Sequence, residues 1–221
     1  MRLPILILIL LAGFASAAQA QAVPSRQGMA QAEPGLWVDM AAAPGQIATI
    51  RATMAAAAAG VGRALGATRA VEWRICTTSA CDKANGMVNR GMTYGASIIT
   101  LNSTAWNDRG AYMHELTHAT LHSTQPLGGF LGSRGLPLWF NEGVAVLVSG
   151  EPARAARDAA CDRPRKGELP QTPRDFARLA PDPKQALKVY IRSACAVREW
   201  LKQGHELREV MPLLRAGRRL P

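Results

Sequence analysis

The sequence predicts an α+β fold in which one helix and a small mixed sheet precede a mainly helical C-terminal part. Two short segments, 71–75 and 97–101, alternate apolar and polar residues with period two in whole or in part. From 107 onward, capping residues, prolines and helical spacing of apolar residues mark out helices. The chain of 221 residues is 48% hydrophobic and 19% charged, enough for one packed core, which excludes bulk disorder.

The N-terminal residues read as an address rather than as fold. Arg2 is followed by an apolar run, Leu3 to Phe14, and by Ala18-Gln19-Ala20, an A-x-A cleavage site, so residues 1–20 are expected to be a signal peptide. The run is too short to span a bilayer, so no stable membrane insertion is expected after cleavage. No Cys follows it, which argues against a lipoprotein. Residues 21–35, rich in Gln, Ala, Pro and Gly, are expected to be a flexible lead-in, and 36–221 a single domain.

Within that domain, 45–66 read as a helix ending near Gly66, then come the 71–75 strand, a turn-rich stretch from Asp82 to Gly95, and the 97–101 strand. Asn107 or Asp108 can cap a helix to about His122. A Gly-rich loop covers 124–135, and Pro137 suits the first position of a helix to about Val148. Beyond Glu151, prolines break up short helices, and an amphipathic helix over about 184–202 precedes a shorter one at 206–216.

Charge and cysteine count narrow the function classes. A formal charge of +10 would suit anionic partners, but the basic residues are scattered and only 5% of residues are aromatic, so nucleic acid is not expected as a partner. Export would place Cys76, Cys81, Cys161 and Cys195 in an oxidising compartment, periplasmic or extracellular. Three pairings are possible, of which Cys76–Cys81 with Cys161–Cys195 is favoured; the two C-x-x-C pairs of a four-thiolate zinc site are absent.

Chemistry concentrates in two segments. His114-Glu115-Leu116-Thr117-His118 is an H-E-x-x-H pentad, and on a helix positions i and i+4 share one face, so both imidazoles can reach one zinc ion. A zinc site of this kind needs a third protein ligand. The metzincin continuation fails, because Leu121 and Thr124 stand where Gly and His are required. The apolar segment Leu138-Trp139-Phe140-Asn141-Glu142-Gly143-Val144-Ala145 offers a carboxylate instead, costly to bury unless a cation meets it.

With those two segments the chain resembles the gluzincin zinc peptidases, the thermolysin-like and aminopeptidase N-like families and their small bacterial exported relatives. Tyr190-Ile191-Arg192-Ser193-Ala194 resembles a Y-x-x-S-A motif of the small members, and the likeness covers roughly 94–214. The gap from His118 to Glu142 is longer than in the two large families, which the Gly-rich loop absorbs at little entropic cost. The Asp that follows the thermolysin glutamate is absent, leaving the groups behind His114 and His118 unidentified.

The resemblance implies a zincin-like fold and one zinc ion per chain held by His114, His118 and Glu142. It implies hydrolysis of a peptide or protein substrate by a metal-activated water, with Glu115 as general base and Tyr190 as donor to the oxyanion. It places the 97–101 strand at the sheet edge lining a substrate cleft. Aminopeptidases carry a Glu after the Gly-Ala pair of that strand; here Ser97 follows Gly95-Ala96, so endopeptidase action is expected. The alternative is a non-catalytic zinc-containing protein of the same fold that binds a peptide or envelope partner.

Other residues carry plainer expectations. His122, one turn past His118, is expected behind the ligands or at the surface. Trp139 and Phe140 should anchor the Glu142 helix in the core, and His205 should start an exposed helix.

Overall fold

The computed structural model of the chain describes residues 23–124, 136–151, 161, 167–218 and 220. The expected signal peptide and nearly all of the 124–135 loop lie outside these residues. Five strands form one mixed sheet, β1 (Met29–Glu33), β2 (Leu36–Asp39), β3 (Glu72–Ile75), β4 (Gly91–Tyr94) and β5 (Ile98–Leu101), in the spatial order β1-β2-β3-β5-β4. β2, β3 and β5 run parallel, whereas the two outer strands, β1 and β4, pair antiparallel with their neighbours. The described residues also form seven α-helices: α1 (Pro44–Leu65), α2 (Ser79–Asn85), α3 (Arg109–His122), α4 (Leu138–Ser149), α5 (Pro173–Leu179), α6 (Pro183–Lys202) and α7 (Val210–Arg215). The α+β class expected from the sequence is therefore observed.

Three local expectations are corrected. Met29–Glu33 belongs to the sheet instead of a flexible lead-in: a turn through Gly35 at φ 80° folds it onto β2, with Met29 opposite Asp39. Its weak strand propensity is overridden by burial of Met29 beside Cys76, Cys81, Met87 and Trp37. The Arg26 guanidinium just before it lies 4.2 Å above the Trp37 ring and pairs with Glu72 at 2.7 Å. The turn-rich stretch from Asp82 to Gly95 contains the end of α2 and the whole of β4. Finally, β5 is interior: the open edge beside it is β4, folded back by a turn at Gly95, whose φ is +61°.

The helix bearing the pentad is central. Asp108 caps α3, its carboxylate accepting from the Gly110 amide at 2.8 Å. From Tyr112 onward nearly every α3 residue through Leu121 is buried, because α1, α4 and the β4–β5 hairpin all pack on it. Polar atoms there are satisfied locally: Tyr112 donates to the Trp106 carbonyl at 2.6 Å, and Thr117 and Thr120 donate to carbonyls one turn back, each at 2.7 Å.

α4 lies between α3 and α6. Pro137 stands just before its first residue, and the opening amides of Leu138 and Trp139 donate to the Gln171 and Pro170 carbonyls. Phe140 is fully buried edge-to-face against Trp200 at 5.2 Å, and Trp139 packs on the same core, as expected. Gly150, at φ 80°, ends the helix in the left-handed region.

Both favoured disulfides are present. Cys76–Cys81 closes the β3–α2 connection, and the second bridge joins Cys161 to Cys195 of α6. They suit an oxidising, exported environment. No described helix is long and apolar enough to cross a membrane.

Candidate metal centre

The i, i+4 spacing on α3 brings the His114 and His118 rings edge to face, 4.6 Å apart between centroids. α4 then aims Glu142 between them: Oε2 lies 3.5 Å from His114 Nε2 and 3.5 Å from His118 Nε2. All three side chains are nearly buried, with side-chain exposures of 10%, 9% and 13%.

Those separations are too long for good hydrogen bonds. They do fit a shared ion, since two atoms each about 2.0–2.1 Å from a tetrahedral zinc stand about 3.3 Å apart. Glu142 Oε2 is buried with no hydrogen-bond partner, and an unpartnered buried carboxylate oxygen is costly. Two imidazole nitrogens and that oxygen form a donor set suited to a divalent transition metal. Without a cation, burial pushes the Glu142 carboxyl upward, but the His118 and His114 imidazoles outweigh it and hold the group well below the usual carboxylate range. Burial lowers His118, yet the facing Glu142 carboxylate more than offsets this and raises it to about 9.

The nitrogens that face away from the cluster find partners that sequence reasoning did not identify. His118 Nδ1 lies 3.0 Å from Asn141 Oδ1, whereas His114 Nδ1 has only a longer, 3.5 Å approach to Ser149 Oγ. Asn141 Nδ2 reaches His122 Nε2 at 3.1 Å, and His122 Nδ1 reaches the Gly95 carbonyl at 2.9 Å. His122 therefore sits behind His118, its ring nearly parallel to that of His118 with centroids 6.0 Å apart. Burial and the nearby His118 push its imidazole down to about 4, which keeps it neutral. Asn141 had a sequence signal in its place beside Glu142, but Ser149, seven residues further on, had none.

Glu115 is also buried, on the side of α3 that meets β4. Thr93 Oγ1 lies 2.7 Å from its Oε2 and 2.9 Å from its backbone carbonyl. The strand passes so close that a Cβ at Gly91 would lie 2.7 Å from Glu115 Oε1 and 2.8 Å from its Cγ. Neither Gly91 nor Thr93 stood out in the sequence, because their relevance depends on which strand forms the edge.

Tyr190 projects from α6 with its ring 6.1 Å from that of His114, edge to face, and 5.3 Å from Phe176 of α5. Burial first, then the carboxylates of Glu142, Glu115 and Glu151, push its phenol well above the ordinary value, so it stays protonated at neutral pH. Of the five residues singled out from the sequence, His114, His118 and Glu142 share one cluster, Tyr190 stands beside His114, and the Glu115 carboxylate lies against Thr93 and Gly91 of β4. His205 lies outside this cluster, stacked on Trp200 at 4.4 Å and 3.3 Å from Glu209. No known family model, curated protein or solved structure matches this chain.

Proposed function

We propose that the protein is an exported zinc-dependent peptidase of gluzincin type, acting as an endopeptidase on peptide or protein substrates in the periplasm or outside the cell. The observation that carries this reading is the unpartnered Glu142 Oε2 placed 3.5 Å from both imidazole Nε2 atoms, because that arrangement is stabilised by a cation and is costly without one. His114, His118 and Glu142 would hold the ion. When bound, zinc acidifies water and polarises a carbonyl.

The remaining roles fall to the chain's own side chains. Glu115, one residue past His114 and steadied by Thr93, takes a proton from the attacking water and passes it to the leaving amine. Tyr190, neutral and close to His114, donates a hydrogen bond to the oxyanion. The open edge of β4 offers backbone groups for an extended peptide to pair with. The lack of any Glu between Glu72 and Glu115 leaves no carboxylate on this hairpin for a substrate amine, which favours internal cleavage.

The test compares the mature protein with Glu115→Gln, measuring bound zinc and cleavage of casein and quenched-fluorescent peptides. The variant should keep zinc and lose turnover by at least about 100-fold, the scale of a general base. Unchanged cleavage, or a parent that retains no zinc after dialysis, would overturn the reading. Zinc with no cleavage by the parent would favour a binding protein of the same fold.

A further inference from the structure

We propose that His122 is a positioning residue that fixes the orientation of the Asn141 amide and, through it, presents the Nε2 lone pair of His118 to the metal. The inference rests on the reading of His118 as a ligand. The hydrogen bonds run inward from the β4–β5 turn. The Gly95 carbonyl can only accept, so His122 Nδ1, 2.9 Å away, carries the proton. In the neutral ring Nε2 is then an acceptor, and of the two ends of the Asn141 amide only the NH2 can face it, at 3.1 Å.

That choice turns Asn141 Oδ1 toward His118. Because Oδ1 only accepts, His118 Nδ1, 3.0 Å away, keeps a proton, and Nε2, on the side of Glu142, is the nitrogen that an ion can take. Each member of the chain has its donor and acceptor roles dictated by the one before it. If the His122 acceptor is removed, the Asn141 amide can turn over and present its NH2 to His118 Nδ1. The imidazole then carries its proton on Nε2 and no longer offers that nitrogen to an ion.

The experiment uses the full mature protein with His122→Leu, which removes the acceptor, and His122→Gln, whose carbonyl reaches the position of Nε2. The readouts are zinc affinity by competition with a chromophoric chelator and the visible spectrum of the cobalt-substituted protein. His122→Leu should weaken metal binding about 10–100-fold and alter the cobalt spectrum, while His122→Gln restores most of both. Parent-like affinity and spectrum in His122→Leu, or equal loss in both variants, would overturn the inference and leave the metal site standing. A parent that binds neither ion would overturn the proposed function and the inference together.

A measurement on the unmodified chain guards against a variant that fails to fold. In zinc-loaded protein labelled with 15N-histidine, His122 and His118 should both show Nδ1–H. A proton on Nε2 of His122 would overturn the assignment.

Discussion

Gly91 and Glu115 are fitted to each other: no side chain on Gly91 can coexist with the present position of the Glu115 carboxylate, since a Cβ would lie 2.7 Å from Oε1, 2.8 Å from Cγ and 3.0 Å from Cδ. The whole side chain is in the way, and Thr93 holds its other oxygen at 2.7 Å, so it cannot simply swing aside. Gly91→Ala should destabilise the fold by about 1–3 kcal/mol, the usual cost of overpacking. Zinc content should be unchanged, and any peptide cleavage should fall at least tenfold. Thermal unfolding together with metal analysis checks this, and parent-like stability would show that β4 gives way freely.

Gly143 is the second tight contact, and the obstacle there is backbone. A Cβ would lie 2.5 Å from the Ser193 carbonyl oxygen and 2.6 Å from Val197 Cγ2, where α4 crosses α6. Alanine is intrinsically better than glycine within a helix by about 1 kcal/mol, so a rise in stability would be the ordinary expectation. Here the two helices must separate, and Gly143→Ala should instead cost about 2 kcal/mol or more. That corresponds to a melting temperature lower by about 4–8 °C. Because Glu142 is the preceding residue, zinc affinity should fall as well.

Removal of metal should be felt in stability. Chelation leaves the Glu142 carboxylate facing two imidazoles in a buried site, whereas an ion that binds only the folded chain stabilises it by mass action. The chelated protein should melt at lower temperature and recover on addition of zinc. Glu142→Gln should bind zinc at least about 100-fold more weakly, so its melting temperature should respond little to either treatment. A parent whose melting temperature is indifferent to both chelator and zinc would contradict this.

Glu151, at the end of α4, makes stability fall as pH rises. Burial first, then the charge and hydrogen bond of Asp108, raise its carboxyl from 4.5 to about 7, while Arg90 acts in the opposite direction. A raised carboxyl favours the fold below the unfolded value of 4.5, and the benefit is lost as pH climbs through about 7. At about 1.4 kcal/mol per pH unit the ceiling is about 3 kcal/mol, and water reaching this half-buried group leaves about 1–2 kcal/mol. The stability of the parent relative to Glu151→Gln, measured by urea unfolding of chelated protein, should fall by that amount between pH 4.5 and 7.5. A constant difference would show that Glu151 titrates normally.

The two halves of the centre were unequally legible in the sequence. His114, Glu115 and His118 could be read together because helical periodicity alone places i and i+4 on one face. Glu142 stood out because a carboxylate among Trp139, Phe140, Val144 and Ala145 has to be buried with a partner. The open edge was misplaced onto the 97–101 strand, because Gly91–Tyr94 lacks the alternation of a half-buried strand and its pairing is decided by a turn at Gly95. Met29–Glu33 was missed for a similar reason, its pairing with β2 depending on contacts from Trp37, Cys76 and Met87.

By itself the sequence determined what local rules control: the α+β class, the pentad helix with a cap at Asn107 or Asp108, the glutamate helix, and a cysteine count that allows two disulfides. Only the tertiary structure decided the order of the strands, the approach of Gly91 to Glu115, and the chain from Gly95 through His122 and Asn141 to His118. The physical reason is range. Periodicity and capping act within a few residues, whereas the hydrogen bonds from Gly95 through His122 and Asn141 to His118 join groups 19 to 27 residues apart and β2 pairs with β3 across 37 positions, for which the linear chain carries no signal until it is packed.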